Sequence, residues 1–247
     1  MGKDYFSKRV SVRSYEKKHI PEHLLDNILE RAMRAPTCGN MQLYSVVVTR
    51  APHQLERLAK EHFNQPAAIG ADVILTICAD FNRFTEWCEA SGAKPGFDNF
   101  HSFMMALTDA IIFTQQIVTI AEMEGLGTCY LGTVNYNARQ ISELLELPDL
   151  VVPVASISLG YPASFTAQCE RLPLAAIKHD ETYRKDSRED VIKLFKAKDE
   201  FSDNRKFVEE NDKESLAQVF TDIRYPESVN TTVSESFISL LKNKGFL

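Results

Sequence analysis

The sequence predicts an α+β fold in which helices cover a modest central sheet. Helix-like and strand-like patterns alternate along the 247 residues, but the strand-like segments are few. The longest apolar segment, at residues 103–124, has helical length and is too apolar to lie on a surface. We therefore expect this helix at the centre of the protein or in an interface.

The first half of the chain predicts two helices and two strands. In residues 20–36, apolar residues recur at steps of three and four, which indicates one helical stripe. Pro36 disfavours helical backbone at Ala35, so the helix should end there. A strand rich in β-branched residues, a helix and a fully buried strand are predicted next, at residues 44–49, 51–63 and 71–80.

The second half predicts further elements on both sides of the apolar helix. Residues 81–100 are aromatic-rich and interrupted by Gly and Pro, so we interpret them as a long, partly ordered loop. After Gly125 we expect a short strand, a helix and a third clear strand, at residues 125–134, 137–148 and 151–163. The polar, helical composition from Ser187 onward predicts a C-terminal extension at residues 187–247, following a domain at residues 1–186.

The apolar segment at residues 103–124 could be mistaken for a membrane span. Asp109, Gln115 and Gln116 interrupt it. Because polar and charged side chains are costly at the centre of a bilayer, a helix buried in protein is the better interpretation. We expect no membrane partner.

Composition excludes several classes of protein. The formal net charge of -6 and the pI near 5.6 argue against a general nucleic-acid-binding protein, which would present a basic face. Five widely spaced cysteines without a C-x-x-C pair argue against a disulfide framework or a cysteine zinc site. The opening MGKDYFSKRV lacks the apolar stretch of a secretory signal, so we expect a cytoplasmic protein.

The segment KRVSVRSY, at residues 8–15, gathers cations and hydroxyls in an acidic protein. If the segment is extended, Arg9, Ser11, Arg13 and Tyr15 share one side and the valines the other. Two guanidinium groups beside a hydroxyl could bind a phosphate through charge-assisted hydrogen bonds. A surface strand with solvated arginines is the alternative that this segment alone leaves open.

The sequence shows no evident acid–base or nucleophilic site. His19 and His23 lie four residues apart, but Pro21 between them prevents a shared helical face, so we expect no metal site. Cys38 has no assignable histidine partner, which favours an ordinary loop residue over a nucleophile. The glycines of residues 125–132 follow a helix and enter a strand, unlike a Rossmann fingerprint. These features are typical of an enzyme whose cofactor carries the reaction.

Six motifs occur in a specific order: KRVSVRSY, APTCGNMQ, the pair NQ at residues 64–65, GLGTCYLG, SLGYPA and ERLPLAAIKHDETY. This ordered set resembles the nitroreductase family of FMN-dependent oxidoreductases over residues 5–185. The resemblance implies an α+β, nitroreductase-like fold with a central, mostly antiparallel sheet covered by helices. It also implies an intertwined homodimer with two FMN sites at the subunit interface.

The resemblance further implies which residues bind FMN. The phosphate and neighbouring ribityl oxygens would be held by Arg9, Ser11 and Arg13, with Arg171 returning to the phosphate. The loop expected to contact the flavin from the opposite subunit contains Pro36, Thr37, Cys38, Asn40 and Gln42.

Two further segments would face the flavin ring. The pyrimidine edge would meet Asn64 and Gln65. One face of the isoalloxazine would be lined by Tyr130, Leu131, Gly132 and Thr133. None of these residues is expected to be catalytic, because the hydride chemistry takes place at N5 of FMN.

Two positions depart from the family pattern. Many relatives carry Lys two positions before the late arginine, where this chain has Cys169. Relatives often read Q-P-W after the loop, where this chain has Gln42, Leu43 and Tyr44. Neither departure removes FMN binding, but both weaken inference about the substrate.

The implied reaction is a ping-pong transfer of hydride from NADH or NADPH through FMN to a nitroaromatic, quinone or similar small-molecule acceptor. Two alternatives remain open: an FMN-binding sensor or store without turnover, and another flavin reaction on the same scaffold, such as reductive dehalogenation. The aromatic segment with Arg83, Trp87, Lys94 and Phe97 is a candidate cover over the substrate, and an ordinary insertion is the alternative.

Overall fold

The computed structural model describes residues 4–247, so the first three residues of the predicted domain 1–186 lie outside the described part. The chain divides into two compact units. The first contains the residues up to Arg9 and Ala167–Thr232; the second contains Val10–Thr166 and Val233–Leu247. The predicted boundary between residues 186 and 187 lies inside the first unit, and that division stays a prediction.

Helices and strands alternate along the described chain. The strands are β1 (Tyr44–Thr49), β2 (Val73–Asp80), β3 (Gly127–Tyr130) and β4 (Val151–Gly160). The helices are α1 (Asp4–Lys8), α2 (Glu22–Ala32), α3 (Pro52–Glu61), α4 (Pro66–Ile69), α5 (Asn82–Ala90), α6 (Phe100–Met123), α7 (Ala138–Leu144), α8 (Arg188–Glu200), α9 (Ser202–Glu210), α10 (Leu216–Gln218) and α11 (Glu227–Asn243). A π-helical turn, Val219–Arg224, follows α10.

The second unit contains an antiparallel sheet in the strand order β1-β2-β4-β3. β2 pairs with β1 on one side, where Tyr44 lies opposite Ala79, and with β4 on the other, where Val73 lies opposite Leu159. β3 closes the order by pairing Gly127 with Gly160 of β4. The α+β fold with a central antiparallel sheet is therefore confirmed.

Both faces of β2 are covered, which explains why its sequence VILTICAD is apolar except for Thr76 and the terminal Asp80. Leu75 and Ile77 belong to the core cluster that contains α2 and α6, whereas Ile74 belongs to a second cluster with residues of α3, α4 and α7. Since successive strand side chains point to opposite faces, a strand buried on both faces has no polar alternation. The prediction of a fully buried strand is confirmed.

Helix α6 is the core helix that the sequence predicts. Ala106, Ala110, Phe113 and Ile117 are buried along one side and belong to the core cluster that covers the sheet. Within residues 4–247, α6 is the one helix long and apolar enough to cross a membrane by length and composition, and half of its most apolar window is buried. Core helices of this kind are expected to meet the same criterion.

The first unit is mainly helical, as its polar composition predicts. Ser187 caps α8 by accepting a hydrogen bond from the Asp190 amide at 3.2 Å. The guanidinium of Arg224 lies 4.2 Å from the ring centroid of Phe207, a cation–π contact that joins α9 to the π-helical turn. These contacts organise the unit locally.

The interpretation of residues 81–100 as a long loop is wrong for its first half. Residues Asn82–Ala90 form α5, and the ring of Phe81, fully buried before it, stacks on Phe97 at 4.6 Å between centroids. The glycines and the proline that suggested a loop, at positions 92, 95 and 96, all follow the helix. Judging the segment by its overall composition hid a helix that contains no Gly or Pro.

Replacing Gly127 by Ala should destabilise the second unit. A Cβ at this position would lie 2.7 Å from Cβ of Val12, closer than real contacts allow. We expect the free energy of unfolding to fall by about 1–3 kcal/mol, measured by chemical denaturation. Gly96→Ala is the matched control, because a Cβ there meets no atom within 4 Å. Equal losses in the two variants would contradict this packing.

Candidate functional site

The N-terminal part of the second unit runs beside strand β3. The Val12 amide donates to the Thr128 carbonyl at 2.9 Å, and the Val12 side chain is buried against Gly127. Arg13 is exposed and Ser11 is half-buried. The predicted alternation of buried valine and outward polar residue therefore holds at residues 11–13, next to the strand that leads to Tyr130.

Tyr15 departs from the predicted alternation. Its hydroxyl donates to the Val12 carbonyl at 2.9 Å and lies 2.8 Å from Oγ of Ser158, and its ring packs against Gly160. Burial raises the pKa of the Tyr15 phenol above its usual range. The ring packs inward because Gly160 has no side chain to occupy that space. Tyr15 therefore stabilises the segment through packing and hydrogen bonds, whereas Arg13 is exposed.

Arg9 and Arg171 belong to the first unit, where a glutamine links their segments. The side-chain amide of Gln168 donates to the Ser7 carbonyl at 2.6 Å and to the Arg9 carbonyl at 3.4 Å. Arg171 follows three residues later, is exposed, and donates to the Glu170 carbonyl at 3.0 Å. Arg9 and Arg171, two of the three arginines predicted to bind phosphate, therefore lie on chain segments that are hydrogen-bonded to each other.

The loop of residues 36–42 has an uncommon backbone. Gly39, Asn40 and Gln42 have φ of 54°, 55° and 54°, in the left-handed region. Such angles are costly for residues other than glycine and persist where surrounding contacts enforce them. Of the predicted site residues here, Pro36 and Asn40 are exposed and the others half-buried: Thr37, Cys38 and Gln42.

A buried carboxylate and an arginine hold this loop. Asp109 of α6 accepts the Cys38 amide at 2.8 Å and the Leu43 amide at 3.3 Å. Arg83 of α5 donates to the carbonyl oxygens of Gln42 and Tyr44, both at 2.9 Å. The loop is thus fastened to α6 from one side and to α5 from the other.

The contacts of Arg83 bear on the hypothesis of an aromatic cover over the substrate. Its guanidinium also donates to Oγ of Ser45 at 3.0 Å and pairs with Asp80 at 3.4 Å. These bonds join Arg83 to the 36–42 loop, to β1 and to the end of β2. A cleft of ~430 Å³ opens beside it, lined by residues that include Gln42, Ser45 and Met41.

The Cys38 thiol has a raised pKa. Its burial is the largest cause, and its hydrogen bond to Asp109 and the negative charge of that side chain act in the same direction. Since the thiolate is the nucleophilic form, these surroundings make Cys38 less reactive. The interpretation of Cys38 as an ordinary loop residue is favoured.

Thr133 joins two of the predicted ring-contacting segments. Its hydroxyl lies 2.9 Å from Nδ1 of His62 and accepts a hydrogen bond from the side-chain amide of Gln65 at 3.4 Å. Asn64 is exposed with φ of 52°, next to Gln65. A Cβ at Gly132 would meet no atom within 4 Å. A polar cluster therefore borders open space at the end of β3.

Tyr130 and Leu131, the remaining predicted ring-contacting residues, differ in exposure. The Tyr130 side chain is 38% exposed, whereas Leu131 is buried and its amide donates to the Ser156 carbonyl at 2.8 Å. Leu131 can therefore contact a ligand only through its backbone, because its side chain is buried. The described structure gathers Ser11, Arg13, Gln65 and Tyr130–Thr133 along β3, and fastens the 36–42 loop to α5 and α6.

Sequence reasoning missed His62 as a site residue. It is fully buried, its Nε2 has no hydrogen-bond partner within the described residues, and burial lowers its pKa from 6.5 to about 4. In the sequence we tested the histidines only for metal-ligand spacing. The available signal was its place two residues before Asn64. Among residues 4–247, no three His, Cys, Asp or Glu side chains form a group that could hold a metal.

His62 should make stability fall between about pH 6.5 and pH 4. In that window the unfolded chain protonates this histidine while the folded chain keeps it neutral, so the free energy of unfolding decreases as pH decreases. Between pH 7 and pH 4.5 this amounts to about 2 kcal/mol. The His62→Gln variant keeps an amide near Thr133. Between pH 7 and pH 4.5 its free energy of unfolding, measured by urea denaturation, should therefore decrease by about 2 kcal/mol less than that of wild type.

The control for this experiment is His23→Gln, which replaces an exposed histidine of α2. It shows how much a histidine-to-glutamine exchange at an exposed position changes the stability profile. If His62→Gln and wild type lose equal stability between pH 7 and pH 4.5, His62 is not held neutral by burial.

Comparison with known proteins identifies the family. The model of the nitroreductase family matches residues 6–161. The chain is 34% identical over 184 residues to FMN reductase [NAD(P)H] of Bacillus subtilis strain 168, and 30% identical over 175 residues to FMN reductase (NADPH) of the same organism; each match covers 70% of both chains. A crystal structure from Bacteroides fragilis NCTC 9343, described as an oxidoreductase, is 44% identical, covers 99% of both chains and has a TM-score of 0.97. Together with the antiparallel sheet and the polar cluster at the end of β3, these matches show that the chain belongs to the nitroreductase family.

Proposed function

We propose that this chain is an NAD(P)H-dependent FMN oxidoreductase of the nitroreductase type. Bound FMN would supply the hydride chemistry that links NADH or NADPH to a nitroaromatic, quinone or similar acceptor in ping-pong order. Family membership and two Bacillus relatives named as FMN reductases support this proposal.

The observation that carries the proposal is the cluster around Thr133. A flat ring needs backbone that it can approach closely and donors at its polar edge. Gly132 offers open space above its Cα, and the Gln65 amide, bonded to Thr133, offers a donor beside it. The exposed Asn64 adds a second amide next in sequence. The residues present therefore fit an isoalloxazine ring.

Ser11 and three arginines are proposed as ligands of the FMN phosphate because of the resemblance to the family. Ser11 and Arg13 lie beside β3 in the second unit, and Arg13 is exposed as a phosphate ligand must be. Arg9 and Arg171 are assigned by resemblance, and their segments are hydrogen-bonded within the first unit. Arginine suits this role because its fork of donors matches two phosphate oxygens.

In this proposal the protein binds and orients, and holds charge in place. Gln65 would donate a hydrogen bond to the polar edge of the ring, where negative charge accumulates on reduction, and such a fixed donor would favour the reduced state. His62 is neutral above about pH 4 and keeps the Thr133 hydroxyl in one orientation. Positioning of this kind accounts for an active site without an evident general base.

We further propose an intertwined homodimer in the cytoplasm. Met104, Ile111 and Ile112 of α6 are 42%, 42% and 38% exposed, an apolar face that a second copy would cover. In that assembly the 36–42 loop reaches the flavin of the opposite subunit. Cytoplasmic location is supported by the five cysteines, all of which are free thiols.

The test of this function is anaerobic spectroscopy of the purified protein. We expect a yellow protein, or a colourless one that turns yellow with added FMN, whose flavin absorbance near 450 nm bleaches on mixing with NADH or NADPH. Adding a nitroaromatic compound or a quinone should restore the absorbance.

Two outcomes would overturn the proposal. A protein that binds no FMN has no flavin function of any kind. A protein that binds FMN but is bleached by neither nucleotide is a flavin store or sensor and not a reductase. Light scattering of the same sample gives the oligomeric state, for which we expect twice the 28.0 kDa chain mass.

A further inference from the structure

Asp109 is a buried acid at the centre of an otherwise apolar helix. Its side chain is 1% exposed on α6, between the buried residues Ala106 and Ala110. In the part of the chain that the structure describes, no cation pairs with it. An acid in such a position is costly unless hydrogen bonds compensate it, so its partners indicate its role.

The partners of Asp109 are the two ends of the loop proposed to contact FMN. One oxygen accepts the Cys38 amide at 2.8 Å, and the other accepts the Leu43 amide at 3.3 Å. Four residues lie between these two amides in the chain, and both side-chain oxygens are used. A carboxylate is suited to this task because it accepts at both oxygens and donates at neither.

Between the two anchored amides the backbone has its strained conformations. Asn40 and Gln42, both predicted flavin-contacting residues, have φ of 55° and 54°. Three bonds are internal to the loop: the Met41 amide to the Cys38 carbonyl at 2.9 Å, the Gln42 amide to Oγ1 of Thr37 at 3.3 Å, and the Asn40 amide to the Thr37 carbonyl at 3.4 Å. None of them ties the loop to the rest of the protein. Left-handed residues without glycine's freedom need outside support to persist.

We infer that Asp109 is a positioning residue for FMN binding: it fixes the Cys38 and Leu43 amides on the core helix and so preorganises Asn40 and Gln42 before the cofactor arrives. Preorganisation raises affinity because the loop loses its conformational entropy when the protein folds and not when FMN binds. The cofactor half of this role rests on the proposed function, whereas the loop half stands on the hydrogen bonds alone.

The test is a graded series at position 109, measured as the Kd for FMN by fluorescence titration of the apoprotein. Asp109→Asn keeps one acceptor oxygen, and Asp109→Ala keeps none. Each lost bond to a charged group should weaken FMN binding about tenfold or more, so Kd should rise from wild type to Asn to Ala. The absorption spectrum of the FMN that remains bound should shift as well, because loop contacts to the ring change.

The matched control is Thr114→Val on the same helix. Thr114 is fully buried, and among residues 4–247 its hydroxyl bonds only to the Ala110 carbonyl one turn earlier, away from the loop. Its variant should alter stability while keeping the wild-type Kd for FMN. If Thr114→Val weakens FMN binding as much as Asp109→Asn, or if both Asp109 variants fold and keep the wild-type Kd, the positioning role is wrong.

A measurement on the unmodified protein covers the case in which Asp109 variants do not fold. Amide hydrogen exchange of the wild-type apoprotein should show slow exchange at Cys38 and Leu43 and faster exchange at Gly39 and Asn40. Fast exchange at both Cys38 and Leu43 would overturn the anchoring. If these amides are protected but wild type binds no FMN, the loop anchor stands and the proposed function fails.

Discussion

The candidate site depends most on the two hydrogen bonds that the Cys38 and Leu43 amides donate to Asp109. They convert a loop with three left-handed residues into part of the core, because α6 itself packs on the sheet through Ala110 and Phe113. A rigid helix then sets the place of the loop, and the loop sets the place of Gln42. Sites built on packed elements hold their geometry better than sites on free loops.

A second anchored surface runs along β3 and the residues that follow it, where three separate chain segments meet. Val12 packs on Gly127, Gln65 bonds Thr133, and His62 bonds the same hydroxyl from inside the protein. All of these contacts position groups, and none creates an activated nucleophile; the Cys38 thiol even has a raised pKa. This is the expected design where a bound cofactor supplies the reactive atoms and the protein supplies orientation and fixed donors.

Local sequence patterns predicted the elements well. β1 and β4 followed from β-branched runs and the burial of α6 from its apolar length, whereas α2 ends at Ala32, three residues before the end that Pro36 predicts. The helix α5 was missed because its neighbours, and not its own residues, contain the glycines and the proline. Patterns read over a few residues succeed where the deciding forces are themselves local.

The contacts that organise the site could not be predicted in the same way. Asp109 was noticed in the sequence only as an interruption of an apolar segment, because the amide it binds is 71 residues away. The same holds for His62 and Thr133, also 71 residues apart, and for the inward turn of Tyr15 toward Gly160. The assignment of the FMN ligands came from ordered motifs, and it stays a prediction until a ligand is seen.

A crystal structure of the protein with FMN tests the central claim most directly, namely that two preformed surfaces receive one flavin. We expect the ring against Gly132 and Thr133 with Gln65 at its polar edge, the phosphate on Ser11 and Arg13, and residues 36–42 in the backbone conformation described above. Flavin density at another place, or a 36–42 loop that rebuilds around the ring after leaving Asp109, would contradict it.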